Sequence, residues 1–201
     1  MSRIQKVLLA IVYLICLILI LYIFFNFFDF RQLNDYSYIK DRTEILINFK
    51  NKNFYLFVFL GIIFSIIWIL LLGFATPLAI IAGFIFGKYV GTVITIFSFT
   101  IGCTLLYMFA NFYFKDIVLK HLSKKLEKFK HFFKKDEFLY FMLFRFAGGA
   151  GLPFALQNIL PVLFDMKIKN YFYATLFGLV PSIFVLNSLG SGIENIVQKD
   201  I

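Results

Sequence analysis

The chain has 201 residues, of which 61% are hydrophobic and only 15% are charged. A soluble domain is about 45–50% apolar and about 25% charged, so this composition excludes a soluble globular enzyme. A disordered chain is excluded as well, because disorder requires low hydrophobicity. In a membrane protein the net charge of +9 indicates contact with anionic headgroups and not binding to nucleic acid. The class that remains is an all-α polytopic membrane protein.

Apolar runs along the chain predict three spanning helices, at residues 7–28, 90–114 and 170–189. Each run is long enough to cross a hydrocarbon core of about 30 Å. The first run is too long for the apolar part of a signal peptide and no small-residue cleavage site follows it, so we expect a retained helix. The last run contains Gly178 and Pro181, for which we predict structural roles. No linker separates the runs, and we expect a single membrane domain over residues 1–201.

The apolar segment at residues 54–87 is interrupted by Gly73 and Pro77. Such residues release backbone groups that lipid cannot satisfy, so non-helical backbone persists at this depth only inside protein or beside a wet cavity. We therefore predict a first re-entrant, broken-helix hairpin here, in which Pro77, Gly83 and Gly87 have structural roles.

The segment at residues 115–137 holds eight lysines, and its apolar residues from Val118 to Phe133 recur at steps of four, four, three and four. This spacing places them on one helical face, which predicts a basic amphipathic helix at the membrane interface. A solvated linker helix is the alternative. His121 and His131 have no further ligand at a suitable spacing, so we expect solvated side chains and no metal site.

The segment at residues 138–165 is also broken, and we predict a second re-entrant hairpin here. It contains Arg145 between apolar neighbours. An arginine at membrane depth costs about 2.5–3.5 kcal/mol on insertion scales. Such a residue usually faces the interior of a bundle or a wet cavity. The alternative is that Arg145 lies close to an interface and extends its charge to the headgroups.

Three glycines, a proline and two amides follow the arginine within 14 residues. The glycines let backbone N–H groups point at an anion, and the proline suits the first turn of a new helix that carries the amides. With the arginine they predict a phosphate site in a hydrophobic setting. Alternatively, the glycines permit close helix packing and the amides join helices. The predicted substrate-binding residues are Arg145, Gly148, Gly149, Gly151, Pro153, Gln157 and Asn158.

A weak internal repeat supports a transport site. A shift of 76 residues aligns Pro77 with Pro153 and Gly102 with Gly178. Paired segments interrupted by glycine or proline point to a binding site at a repeat interface. Enzyme motifs such as a nucleophile elbow or a Walker loop are absent, and both cysteines lie in apolar runs. We expect no enzymatic activity, no disulfide and no cofactor.

The string at residues 76–87, followed by Gly91, resembles the first hairpin of the DedA / SNARE-associated Golgi protein family (the VTT domain). Further residues resemble its second hairpin and the helix that follows. The resemblance extends over residues 54–192, and the residues that carry its second part are Arg145, Pro153, Phe154, Asn158, Gly178, Pro181 and residues 189–192.

This resemblance implies two re-entrant hairpins in inverted repeat, flanked by spanning helices. Family members are lipid scramblases or translocases, and some bacterial members move polyprenyl-phosphate carriers or phospholipids, often with the proton-motive force. The hairpin arginine and proline of the family correspond to Arg145 and Pro153. Residues 73–87 lack the acidic residues of the bacterial members, which argues against proton coupling through this hairpin.

The expected function is transport of a phospholipid or polyprenyl-phosphate headgroup across the bilayer. The alternatives are a secondary transporter of a small anionic solute and a non-transporting membrane scaffold. We expect membrane lipids with anionic headgroups as partners, an oligomer as a possibility, and a multi-pass location in a bacterial inner membrane.

Overall fold

The computed structural model describes residues 8, 11, 12, 15, 18, 19, 22, 45, 47–71, 74–113, 115, 116, 120 and 135–199, the last five by their backbone alone. The predicted first helix at residues 7–28 and the basic helix at residues 115–137 lie largely outside these residues. Cys16, His121 and His131 lie outside them entirely. Within the described ranges every regular element is helical, and the predicted all-α membrane fold is confirmed.

The elements follow one another with short connections. Two 3-10 segments, Gly148–Gly151 and Leu160–Phe164, lie on either side of the short helix Phe154–Ile159. The helices are α1 (Phe54–Leu71), α2 (Thr76–Phe86), α3 (Lys88–Tyr113), α4 (Glu137–Phe146), α5 (Phe154–Ile159), α6 (Ile168–Gly178) and α7 (Val180–Lys199).

The chain forms two compact units, Met1–Gly61 and Ile62–Ile201. In the first unit the rings of Phe49 and Phe57 meet edge to face, with their centroids 5.9 Å apart. In the second unit α3 is the central helix and packs against α2, α5, α6 and α7. Its inward face supplies Phe99 and Tyr107, both fully buried, to the core. The core of the second unit therefore surrounds α3.

Among the described residues, α1 and α3 are long and apolar enough to cross a membrane. Helices α6 and α7 form an apolar pair bent by 42°, which would be a third span if the two helices cross together. One helix at residues 170–189 was expected here. The bend follows Gly178 and Leu179, and Pro181 then occupies the first turn of α7. Proline has no backbone N–H to donate into a continuous helix, and this explains why α7 starts anew.

Glycines bring α2 and α7 into backbone contact. A Cβ on Gly83 would overlap the backbone of Asn187, and a Cβ on Gly190 would overlap the carbonyl oxygen of Ile80. Small residues at such contacts let helices approach closely in lipid, where no hydrophobic force drives them together. At the end of α2, Gly87 turns the chain into α3 with a φ of 76°, a conformation that suits glycine. At the start of α2, Pro77 occupies the first turn.

Candidate functional site

A hairpin formed by α4, α5 and the 3-10 segment after α5 begins and ends at the same end of the second unit. At its start the Glu137 carboxylate accepts hydrogen bonds from the Lys167 backbone N–H at 3.2 Å and from Asn170 Nδ2 at 2.6 Å. At its end Lys115 Nζ pairs with Asp165 Oδ2 at 2.7 Å. The hairpin therefore leaves the end of α3 and returns to it.

The first arm of this hairpin has about half the length that a membrane requires. Helix α4 has 10 residues, so it is about 15 Å long, against a hydrocarbon core of about 30 Å. With the charged residues at its base in the interface, we expect the tip of the hairpin close to the middle of the bilayer. Helix α2, with 11 residues, is similarly short and joins the opposite end of α3 through Gly87.

The tip of the hairpin is a left-handed turn. Gly148, Gly149, Ala150 and Gly151 have φ angles of 71°, 73°, 52° and 76°. L-residues avoid this region, and the three glycines adopt it without steric cost. Gly149 is also buried, and a Cβ added there would overlap the side chain of Gln157. The turn thus requires glycine at this position for two independent reasons.

Arg145 lies near the end of α4 and is 1% exposed. Its Nη2 donates to the phenol oxygen of Tyr171 at 3.0 Å and to the amide oxygen of Asn158. Its Nη1 makes a longer contact of 3.5 Å with Gln157 Oε1. The Tyr171 hydroxyl in turn donates to Asn158 Oδ1 at 3.3 Å. A side chain held in this way does not extend its charge to the headgroups.

Aromatic rings enclose the guanidinium group. Its Cζ lies 5.0 Å from the ring centroid of Phe141, 5.2 Å from that of Phe154 and 5.9 Å from that of Tyr171. A cation at such distances is attracted by the negative faces of the rings. Cys103 on α3 also lies close enough to Arg145 to interact with it electrostatically. We call Arg145, Gln157, Asn158, Tyr171, Cys103 and the two phenylalanines the arginine cluster.

The arginine cluster carries one positive charge that no described carboxylate balances. Arg145 is the one buried charged side chain among the described residues, and its hydrogen bonds there go to neutral groups. Two further N–H donors of the cluster, Arg145 Nε and Asn158 Nδ2, are buried without a partner in the described part of the chain. Since a buried charge is costly unless it is paired, this arrangement favours an anion.

Gln157 connects the turn to the arginine. Its Nε2 donates to the carbonyl oxygen of Gly148 at 3.3 Å and to that of Leu152 at 2.7 Å. This leaves its amide oxygen directed at Arg145. The two turn carbonyls are therefore satisfied by a side chain, which stabilises the left-handed turn next to the cluster.

Comparison with protein families now identifies the fold. The VTT domain matches residues 74–192, more than half of the chain. The chain belongs to the VTT domain family. This confirms the resemblance stated from the sequence. The match begins just before α2 and ends in α7, so the VTT domain includes the complete arginine cluster.

Two relatives have similar sequences and the same printed name, Transmembrane protein 41 homolog. The protein from Caenorhabditis elegans is 26% identical over 168 residues, which are 81% of this chain and 67% of the relative. The protein from Dictyostelium discoideum is 26% identical over 164 residues, which are 79% of this chain and 48% of the relative. The chain thus spans two thirds of one relative and about half of the other. No solved structure matches it.

The VTT domain brings some of the predicted site residues together and leaves others apart. Arg145, Gln157 and Asn158 are in direct contact, and Gly148 and Gly149 lie against Gln157. The remaining two predicted binding residues, Gly151 and Pro153, are exposed and outside the cluster, where they shape the turn and start α5.

The predicted structural glycine Gly178 packs directly on the cluster. A Cβ at this position would lie 2.6 Å from Arg145 Cβ and 2.8 Å from the carbonyl oxygen of Met142. Such distances are too short for a side chain, so the absence of one lets α6 approach α4. Gly102, which the shift of 76 residues aligns with Gly178, packs on α1 in a similar way. A Cβ added at Gly102 would lie 3.1 Å from Ile69 Cβ.

Sequence reasoning missed Tyr171, Phe141, Phe154 and Cys103 as members of the cluster. Each lies in an apolar stretch where its residue type is ordinary. Tyr171 is 26 residues from Arg145, and no spacing rule connects the two. It also missed Asn187, which is fully buried in α7, although an amide in an apolar helix is a detectable signal.

Proposed function

We propose that this VTT domain protein moves the phosphate-bearing headgroup of a phospholipid or polyprenyl phosphate across the bilayer. The supporting observation is Arg145, a buried cation without a described carboxylate partner at the tip of a hairpin of half-membrane length. A phosphate in hydrocarbon is prohibitively costly unless a charge meets it. Arg145 would supply that charge where the cost is greatest.

The remaining groups of the arginine cluster would orient the phosphate. Arg145 presents a planar set of donors that suits phosphate oxygens, and Asn158 has a buried donor without a described partner. The lipid chains would stay in the bilayer beside exposed apolar helices such as α1. Only 11% of the Phe54–Leu71 segment is buried inside the protein. This function forms and breaks no covalent bond, so the proposal includes no enzymatic activity and no cofactor.

A headgroup must displace part of the cluster to reach Arg145, because the guanidinium group is almost fully covered. The longest of its three hydrogen bonds is the contact of 3.5 Å to Gln157. Gln157 is also attached to the left-handed turn through Gly148 and Leu152. We expect Gln157 and the turn to move first, which would admit the headgroup from the tip of the hairpin.

The test is the rate at which fluorescent phospholipids change leaflet in proteoliposomes. Replacing Arg145 with methionine removes the charge and keeps most of the side-chain volume, so the packing on Gly178 is preserved. We expect the protein-dependent rate to fall at least tenfold. Lys169→Met is the control, since it removes one positive charge from an exposed position on α6. An unchanged rate in Arg145→Met would refute the assigned site.

Outcomes with other substrates separate the alternatives. Uptake of free inorganic phosphate without lipid movement would favour the solute transporter, and dependence on lipid chain length would favour lipid transport. Loss of function after charge reversal in residues 115–137, with Arg145→Met still active, would favour a scaffold. The proposal includes anionic lipids as partners, and a bacterial inner membrane stays the predicted location although both relatives named above are eukaryotic.

A further inference from the structure

We infer that the arginine cluster selects a phosphate with a single negative charge, so that phosphodiester headgroups are moved and doubly charged phosphomonoesters are rejected at neutral pH. This inference rests on the proposed function and names the substrate class of the same site. It separates phospholipids with esterified headgroups from polyprenyl monophosphates and phosphatidic acid, which end in a phosphomonoester.

The first argument is the charge count of the cluster. Arg145 contributes one positive charge, and no other buried charged side chain occurs in the described part of the chain. The described lysines on either side of the hairpin, Lys135 and Lys167, lie at its base, as does Lys115. Arg145 is about 12 Å along α4 from Glu137. A phosphodiester would leave the cluster neutral, whereas a doubly charged monoester would leave one net negative charge in a dry environment.

The second argument is the chemistry of the neighbouring groups. The Tyr171 hydroxyl, the Asn158 amide and the Cys103 thiol are neutral, so they can orient a phosphate oxygen without balancing a second charge. The aromatic rings around the guanidinium group exclude water that would otherwise stabilise the extra charge.

Among the described residues, no group that faces Arg145 changes its charge between pH 5 and pH 7.5. The titratable groups that face it are Cys103 and Tyr171, with Tyr107 stacked on Tyr171 at 4.5 Å. Thiols and phenols are neutral throughout this pH range. Helix α5 contributes only amides and Phe154. Any dependence of the substrate preference on pH therefore originates in the phosphate.

The experiment compares two lipids that differ by one methyl group. Phosphatidic acid is a phosphomonoester, and phosphomonoesters in water lose their second proton with a pKa of about 6. Its methyl ester is a singly charged diester. Both carry the same short fluorescent acyl chain, and movement in proteoliposomes is measured by albumin extraction. Rates from protein-free vesicles are subtracted at each pH. The wild-type protein is tested at pH 7.5 and at pH 5.0.

At pH 7.5 we expect the methyl ester to move at least tenfold faster than phosphatidic acid. At pH 5.0 the monoester has lost its second charge, and we expect the two rates to agree within about twofold, with the methyl ester unchanged. Equal rates at pH 7.5 would overturn the inference and leave the proposed function intact. If neither lipid moves at either pH, the proposed function fails and the inference with it.

A variant with a second cation provides an independent test of the inference. Gln157→Lys places an ammonium group beside Arg145, and Gln157→Met is its uncharged control of similar length. We expect the rate of phosphatidic acid relative to the methyl ester at pH 7.5 to be higher in Gln157→Lys than in Gln157→Met. Equal ratios in the two variants would contradict the charge argument. If Gln157→Lys fails to fold, as judged by gel filtration in detergent, the wild-type comparison at the two pH values decides alone.

Discussion

Arg145 and the turn that follows it depend on each other at the scale of single residues. The amide of Gln157 is oriented by two turn carbonyls, Gly148 O and Leu152 O, and this orientation directs its oxygen at the guanidinium group. The turn needs glycine at position 149 because the Gln157 side chain lies against it. A substitution at Gly149 should therefore displace the Gln157 side chain and alter its contact with Arg145.

A pair of alanine substitutions separates backbone strain from steric overlap. Gly148→Ala meets no atom within 4 Å and carries only the strain of a φ of 71°, about 1–2 kcal/mol. Gly149→Ala carries the same strain and also overlaps the end of the Gln157 side chain. Gln157 must then leave the carbonyls of Gly148 and Leu152, so we expect a further loss of about 1–3 kcal/mol. Thermal unfolding in detergent measures both, and equal melting temperatures would contradict the described packing of Gln157.

At the scale of elements, contact between α2 and α7 organises the half of the VTT domain that lacks the arginine cluster. Gly83 and Gly190 face the partner helix backbone, and Asn187 lies between them in fully buried surroundings. Its amide oxygen also lies against Gly91 of α3, 2.6 Å from where a Cβ would be. Three helices thus meet at glycine positions. The missing side chains let the backbones approach closely, and the resulting dispersion contacts stabilise helix packing in lipid.

Gly190→Ala and Gly192→Ala form a matched pair on α7. The added methyl group at Gly190 would overlap the carbonyl oxygen of Ile80, a backbone atom that moves only with its helix, whereas Gly192 has open space. We expect Gly190→Ala to lose about 1–3 kcal/mol. Gly192→Ala should be neutral or gain up to about 1 kcal/mol from helix propensity. Unfolding followed by Trp68 fluorescence in detergent measures the difference, and equal stabilities would contradict the packing of α2 on α7.

At the scale of the whole molecule, the two ends of α3 contact different parts of the chain. Helix α2 joins its start through Gly87, and the base of the second hairpin lies at its end beside Lys115. Helix α3 has 26 residues, so it is about 39 Å long and exceeds the hydrocarbon core. We therefore expect the base of the hairpin and Lys88 on opposite sides of the membrane.

Labelling of single cysteines tests this arrangement. In a protein whose two native cysteines are replaced, Lys135→Cys and Lys169→Cys flank the hairpin at exposed positions, and Lys88→Cys marks the start of α3. We expect a membrane-impermeant maleimide to label positions 135 and 169 from one side and position 88 from the other. Labelling of positions 135 and 169 from opposite sides would show that the segment between them crosses the membrane fully.

Much of the fold followed from local properties of the sequence. Continuous apolar runs and the order of their glycines and prolines were sufficient for the membrane class, the helical content and the family, all of which are confirmed. The bend between α6 and α7 was not expected, although Gly178 and Pro181 were identified, because neither residue specifies an angle. The segment boundaries and the functional roles of the site residues stay predictions.

Arg145, Gln157, Asn158 and a glycine-rich turn were identified from the sequence alone, because a charge, amides and closely spaced glycines are anomalous in an apolar run. Such anomalies are local, so the sequence by itself determined where polar groups enter the membrane. Only the tertiary structure decided that Tyr171 and the aromatic rings close around the arginine, and that its described partners are all neutral. The physical reason is that charge balance and burial arise from contacts between distant segments, which no local pattern encodes.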